Sequence, residues 1–335
     1  MQQQASTEDL ERAVVHFKET FEDLEKEISR VIVGMHDVVR RTLTCIFAGG
    51  HVLLEGVPGL GKTLLVKSIA KSLGLSFKRI QFTPDLMPSD VTGTQILSED
   101  ESGRKRFTFK PGPVFAHIVL ADEINRATPK TQASLLEAME EKQVTVLDQT
   151  YQLPRPFFVL ATQNPVELEG TYPLPEAQLD RFLNKVLVPA PSGEELKEIL
   201  RRTTGSAVPE VKTVLDPSNV EAHIEQMRML VRHVYVAEPW QEVLVRMISA
   251  LTPGSRYATE KVKKYVRFGP GPRGAQAVML CAKVAALLDS RINLAFEDIR
   301  SVIVPALRHR LILGFQAEAD SVTADDIIEE VRNAK

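Results

Sequence analysis

Apolar positions recur every three or four residues through Leu10, Val14, Phe17, Phe21, Leu24 and Ile28. That spacing lays one hydrophobic stripe along a helix, with Ser6 as its N-cap. A second helix is expected from about His36 until Gly49-Gly50 stops it. The period then changes. His51 to Glu55 reads as a buried strand, followed by a glycine-rich turn and a helical pattern from Lys62 to Leu73 with Gly74 behind it. Further buried strands are expected at Phe77 to Phe82, His117 to Leu120, Phe157 to Ala161 and Lys185 to Val188, with a helix opening at Thr128-Pro129. Alternating strands and helices predict an α/β fold, a parallel sheet with helices on both faces.

Two stretches interrupt the alternation. Polar residues around Glu99-Asp100-Glu101-Ser102-Gly103 lie between strand-like pieces within Gln95 to Pro113. Val144 to Val146 and Tyr151 to Leu153 flank Asp148-Gln149-Thr150. Each reads as a hairpin inserted into the core. Pro189-Ala190-Pro191 marks a boundary, and Ser192 with Glu195 forms a capping box for the next helix. After a loose stretch at 203–218 only helical patterns follow, near 219–233, 239–252, 273–291, 296–310 and 323–333. The expected organisation is an N-terminal helix over 1–30, an α/β nucleotide-binding domain over 31–191 and a smaller all-helical domain over 192–335.

Composition narrows the class. The chain has 335 residues, 44% hydrophobic and 25% charged, with a formal net charge of −3, so no global basic field points to nucleic acid. Two cysteines, Cys45 and Cys281, give neither a disulfide framework nor a zinc site. No secretory leader and no bilayer-length apolar run is present, which predicts a cytoplasmic protein without direct membrane insertion.

The chemistry starts at Gly56-Val57-Pro58-Gly59-Leu60-Gly61-Lys62-Thr63, a full match to G-x-x-x-x-G-K-[ST] between a strand and a helix. Glycines let backbone amides turn in around phosphate oxygens, and the helix adds its positive end. Lys62 is expected on the β- and γ-phosphates and Thr63 on Mg²⁺, with Leu64 completing the binding stretch. Ile118-Val119-Leu120-Ala121-Asp122-Glu123 then brings two carboxylates to the C-terminal end of a buried strand. Asp122 would hold Mg²⁺, directly or through water, and Glu123 would act as general base toward the attacking water. Asn184-Lys185-Val186-Leu187 lacks the aspartate of a guanine-reading motif, which removes GTP as the main substrate.

Four longer stretches are more particular: Val119-Leu120-Ala121-Asp122-Glu123-Ile124-Asn125-Arg126-Ala127, Leu135-Leu136-Glu137-Ala138-Met139-Glu140-Glu141, Ala161-Thr162-Gln163-Asn164-Pro165 and Leu174-Pro175-Glu176-Ala177-Gln178-Leu179-Asp180-Arg181-Phe182. Together with the glycine loop they resemble the AAA+ ATPases and, within them, the MoxR family, over nearly all of the chain from about Val31. The resemblance implies an AAA+ P-loop core with inserted hairpins, an all-helical lid and ATP/ADP with Mg²⁺ as ligands. It implies Asn164 as first sensor, Arg181 as the finger offered to a neighbouring subunit's ATP, with Arg126 as competing candidate, and Arg273 as second sensor reaching the phosphates from the lid. It also implies that Val33 and Gly34 pack on adenine. Phe107, Phe109 and the Asp148-Gln149-Thr150 turn either face a central pore or pack on neighbours.

The function so implied is Mg²⁺-dependent ATP hydrolysis by a homo-oligomeric, hexameric ring. Such a ring remodels, assembles or metal-loads client protein complexes, chaperone-like, with a von Willebrand factor A domain partner. Alternatives are a nucleic-acid motor, for which Lys261, Lys263, Lys264 and Arg267 form a basic stretch, a magnesium-chelatase-like motor subunit, and a binding switch without turnover.

Overall fold

The computed structural model describes residues 7–99, 105–165, 170–205 and 209–333. The expected N-cap Ser6 and the first hairpin's tip lie outside them. Helix α1 (Thr7–Ser29) buries the predicted stripe, with Val14, Phe17, Phe21, Leu24 and Ile28 at most 3% exposed. Helix α2 (His36–Ala48) ends at Gly49, whose φ of 79° is the left-handed cap that glycine adopts without strain. Phe47 of α2 lies 5.5 Å from the Phe17 ring and 5.8 Å from the Phe21 ring. Each such buried ring contributes about 1.5–3 kcal/mol, so α1 is bound into the main core.

The chain continues through β1 (His51–Glu55), α3 (Lys62–Leu73), β2 (Phe77–Gln81), α4 (Pro88–Thr92), the hairpin β3 (Gly93–Glu99) and β4 (Lys105–Pro111), and β5 (Ile118–Asp122). Then come α5 (Pro129–Glu141), the hairpin β6 (Gln143–Val146) and β7 (Gln149–Gln152), β8 (Phe158–Gln163), α6 (Glu176–Leu179) and β9 (Phe182–Leu187). The main sheet has order β2-β5-β8-β1-β9 with every pair parallel. Leu53, Leu54, Leu120, Val159 and Leu160 are 0% exposed, as strands covered on both faces require.

Three local expectations change. Pro129 does open α5, but Thr128 makes no capping hydrogen bond with its side chain. In the second hairpin Val146 pairs with Gln149, so the turn is Leu147-Asp148, and Gln149 and Thr150 belong to β7. Leu147 takes φ 53° there, the left-handed backbone that a two-residue hairpin loop demands. Lys185 does not open a strand: β9 starts three residues earlier, at Phe182, where α6 has just ended.

The C-terminal part holds α7 (Gly193–Thr203), opened by the expected Ser192–Glu195 box, then α8 (Val220–His233), α9 (Glu238–Ala250) and α10 (Glu260–Tyr265). It continues as β10 (Val266–Phe268), α11 (Pro272–Leu288), α12 (Phe296–Leu307), β11 (Ile312–Leu313), α13 (Phe315–Ala319) and α14 (Ala324–Asn333). It is not purely helical: β10 and β11 form a small antiparallel pair, too short to show a strand period in sequence. Cys45 and Cys281, far apart in the chain, lie together in the core as free thiols, where burial pushes the Cys45 thiol up. Among the described residues no helix is long and apolar enough to cross a membrane.

Candidate nucleotide site

The parallel sheet gathers the predicted chemistry at one edge. Glu55 at the end of β1 pairs with Gln163 at the end of β8, and Ala121 of β5 pairs with Ala161. The glycine loop, Asp122, Glu123 and Asn164 therefore leave neighbouring strands side by side. Gly59 and Gly61 have φ of 84° and 79°, with nothing within 4 Å of where a Cβ would stand. A Cβ on Gly56 would meet Val188, just past β9, at 3.0 Å, so a side chain there would push the loop off that segment. Lys62 is buried and turns back on its own loop, donating to Gly56 O and, at 3.2 Å, to Val57 O. Burial pushes its pKa down, while Asp122, Glu123 and Glu55 pull it back up. A buried cation resting on loop carbonyls is a cradle for phosphate oxygens, which would replace those acceptors with charged ones.

Asp122 is 7% exposed and both its oxygens are held. Oδ1 accepts from Thr162 Oγ1 at 2.6 Å, and Oδ2 accepts from Arg79 Nη2 at 2.7 Å and Nε at 3.0 Å. Thr162 Oγ1 in turn accepts the Glu123 amide at 2.8 Å. Glu123 sits at φ 56°, off the end of β5, and its Oε2 accepts from Gln81 Nε2 at 2.8 Å and Arg126 Nη1 at 3.1 Å. Arg126 thus lies beside Glu123 in its own subunit. Asn164 is 4% exposed, and its carbonyl accepts from Asn125 Nδ2 at 3.5 Å. Thr63 is half-buried at the start of α3. A hydroxyl and a carboxylate are the hard oxygen donors Mg²⁺ takes, alongside phosphate oxygens and water.

Beside the loop, Val33, Gly34, Leu60, Leu64, Pro189 and Ile199 line a cavity of about 200 Å³ whose wall is mostly apolar. Gly34 takes φ 75°, which favours glycine, and a Cβ there would meet the Glu195 carboxylate, which would have to swing aside.

Arg181 and Arg273 are not at this edge. Both line a cavity of about 380 Å³ with Gly50 and His51. His51 opens β1, and the phosphate loop leaves its far end, about 13 Å away at the usual strand rise. The expectation that Arg273 reaches the phosphates therefore fails for its own chain, because α11 starts beneath the opposite edge of the sheet. Glu140 joins the two cations, 2.8 Å from Arg181 Nη2 and 2.5 Å from Arg273 Nη2. Arg310 holds the turn that carries Arg181: it donates to Asp180 Oδ1 at 2.7 Å, Asp180 O at 2.9 Å and Phe182 O at 2.8 Å.

Sequence reading missed Arg79, Gln81, Thr162, Glu140 and Arg310. Thr162 and Glu140 stand within the quoted stretches without a role assigned to them; Arg79, Gln81 and Arg310 are polar residues whose partners are distant in sequence. In the hairpins, Phe109 stacks on Tyr151 with centroids 3.9 Å apart, whereas Phe107 is 72% exposed. In the basic stretch, Lys261, Lys263 and Lys264 face Glu330, Glu260 and Asp320 at 2.8, 2.7 and 2.9 Å. Asn184 is buried in β9 and accepts from Cys281, which leaves it no role in reading a base.

Comparison with known proteins agrees with this geometry. Residues 51–184 match the family described as "ATPase family associated with various cellular activities (AAA)", and residues 258–331 match an AAA lid domain. The chain is 42% identical over 305 residues to "Chaperone MoxR1" of Mycobacterium tuberculosis, covering 91% of this chain and 79% of the relative. It is 34% identical to "Protein MoxR" of Methylorubrum extorquens, covering 86% of each. A crystal structure of a candidate ATPase from Cytophaga hutchinsonii superposes with a TM-score of 0.88 at 40% identity, over 97% of both chains. The glycine loop and the acidic pair at one end of this sheet, with an apolar cavity beside the loop, in a chain with these relatives, place the protein in the MoxR family of AAA+ ATPases.

Proposed function

We propose that the chain hydrolyses ATP with Mg²⁺ as part of a ring of identical subunits, each completing its neighbour's site. The observation that carries this is the pairing of Arg181 and Arg273 through Glu140 at the sheet edge opposite the phosphate loop. Neither cation is placed for its own chain's nucleotide. Both are partly exposed, at 27% and 47% of their side chains, and a guanidinium pair suits a transferring phosphate approaching from outside.

The slot at Val33 and Gly34 would take adenine, and the amides of residues 56–64 the phosphates. Lys62, once released from Gly56 O, would bind the β- and γ-phosphates. Thr63 and Asp122 would hold Mg²⁺, which when bound neutralises charge on the phosphate oxygens. Glu123, freed from Gln81 and Arg126, would take a proton from the attacking water, which the Asn164 amide orients. The neighbour's Arg181 and Arg273 would stabilise negative charge on the γ-phosphate in the transition state. The ring's work would be remodelling or activation of client protein complexes in the cytoplasm, with a von Willebrand factor A domain protein as adaptor. The exposed Leu97–Phe107 pair of the first hairpin offers an apolar contact for such clients. The three ion-paired lysines of the basic stretch count against a nucleic-acid motor.

Complementation tests the shared site. Lys62→Ala keeps both arginines but loses its nucleotide; Arg181→Ala keeps its nucleotide but loses the finger. A mixture should hydrolyse ATP several-fold faster than the two proteins measured separately. A mixture no faster than their sum, with mixed oligomers shown by native mass spectrometry, would remove the shared-site reading.

A further inference from the structure

A third cavity, of about 170 Å³, is lined mostly by cations. Lys142, Arg155, Arg228 and Arg232 line it, with Glu225 as the single carboxylate. It lies at the starts of β1 and β8, next to Gly49 and Phe157, whereas the phosphate loop follows the far end of β1. It is therefore a different site from the nucleotide pocket.

The charges are poorly compensated. Glu225 is 62% exposed and stands 3.9 Å from Arg228 Nη1, a weak pair. Among the described residues, Lys142, Arg155 and Arg232 make no close ion pair, and the carboxylate that acts on Lys142 is the same Glu225. Lys283 brings a further cation close, donating to Arg232 O at 2.9 Å. Arg228 is the deepest of the group, with its side chain 13% exposed. Its Nε donates to Ile46 O at 2.9 Å, but its Nη2 is buried with no acceptor. A buried guanidinium N–H without a partner costs about 1–3 kcal/mol, and crowded like charges add repulsion.

Part of this charge answers helix ends. Arg228 binds a carbonyl in the last turn of α2, Lys142 caps α5, and Arg232 lies in the last turn of α8. Each helix end carries about half a negative charge, so three offset about one and a half of the four cations. The excess remains positive, with Arg228 at the base and the exposed Lys142, Arg155 and Arg232 at the rim of a space the size of one or two tetrahedral oxyanions.

We propose that this cavity binds a phosphate-type oxyanion, with Arg228 Nη2 as the deep donor and Lys142, Arg155 and Arg232 closing over it. The ligand is either free phosphate or the phosphate end of a small phosphorylated metabolite. Bound, it would tie α8 to α5 and to the loop before β8, and so stabilise the seat of β1 from the side opposite the nucleotide.

The test is calorimetric titration of inorganic phosphate and, separately, glycerol 3-phosphate at constant ionic strength set with chloride. The protein is saturated with a non-hydrolysable ATP analogue and Mg²⁺ so that the γ-phosphate position is filled. The comparison is Arg155→Gln/Arg232→Gln, two exposed side chains whose loss leaves the core intact. Saturable binding is expected in the parent, weakened at least tenfold in the double variant. Tighter binding of the ester identifies a metabolite as ligand, and tighter binding of phosphate identifies the free anion. No saturable binding, or the same affinity in both proteins, overturns the site. A double variant that melts lower than the parent, with no phosphate binding in either, assigns the cations to helix ends alone and likewise overturns it.

Discussion

Thr162 donates to Asp122 Oδ1 at 2.6 Å while accepting the Glu123 amide at 2.8 Å, so one hydroxyl sets both residues of the acidic pair. Asp122 is fixed at the strand end, and Glu123 is turned into its left-handed conformation. Thr162→Val keeps the shape but leaves a buried carboxylate oxygen and an amide unpaired, at a cost of about 1–3 kcal/mol. ATP turnover is expected to fall at least tenfold with a smaller change in KM, and Thr162→Ser should restore most of it. A valine variant as active as the parent, with the loss falling on the serine variant instead, would show that the methyl contact, not the hydroxyl, matters.

Glu140 holds both Arg181 and Arg273 by ion pairs, so under the shared-site proposal it competes with the neighbour's phosphate for them. Its ion pairs are 27–47% exposed, so together they add only about 1 kcal/mol to stability. Glu140→Gln should melt within a few degrees of the parent. Its ATPase rate should reach half-maximum at a lower protein concentration, because Arg181 and Arg273 are then free for the neighbour. A higher half-maximal concentration would make Glu140 a residue that positions them instead.

His51 ties stability to pH. It is buried, its Nδ1 accepts the Val159 amide at 3.0 Å, and its Nε2 lies 3.3 Å from Met139 O. Burial pushes its pKa down to about 4, with Lys142 and Arg228 adding to the shift. The unfolded chain then takes up a proton near pH 6.5 that the folded chain refuses. Stability is full above that pH and is lost as pH falls toward 4, by about 3 kcal/mol at most. His309, also buried and shifted down, acts with the same sign. Melting temperatures from pH 7.5 to pH 5 should fall, and His51→Gln should flatten that slope. An unchanged slope would assign the effect to other groups.

Arg310 is 4% exposed and serves backbone carbonyls on both sides of the Arg181 turn. Arg310→Ala strands Asp180 and several buried carbonyls, a loss of about 3–5 kcal/mol. Arg310→Lys should rescue little, because one ammonium cannot replace a planar fork reaching Asp180, Phe182 and Leu183 together. Denaturant melts would check this; a lysine variant as stable as the parent would reduce Arg310 to a simple counter-charge.

Local rules reach as far as the strand–loop–helix of residues 51–73, because the glycines, Lys62 and Thr63 are contiguous and each answers a backbone or ligand demand within a few residues. The same holds for the helix stripes, the Ser192–Glu195 box and the acidic pair on its apolar strand. Even there boundaries slip: the turn at Leu147-Asp148 moved by one residue because strand pairing, not turn composition, fixes a hairpin's register.

Tertiary structure decided the rest. Arg273 reads in sequence as a cation at a helix start; only the docking of α11 under the sheet sets it beside Arg181 and away from its own phosphates. Gln81, Arg79 and Thr162 become site residues because parallel pairing stacks the ends of β2, β5 and β8. The basic cavity joins Lys142, Arg155, Arg228 and Arg232 from three separate elements. By itself the sequence determined the glycine loop between strand and helix and the acidic pair at the end of an apolar strand, since those groups are close along the chain. Which cations face which anion depends on contacts between distant segments, and the folded packing alone brings those together.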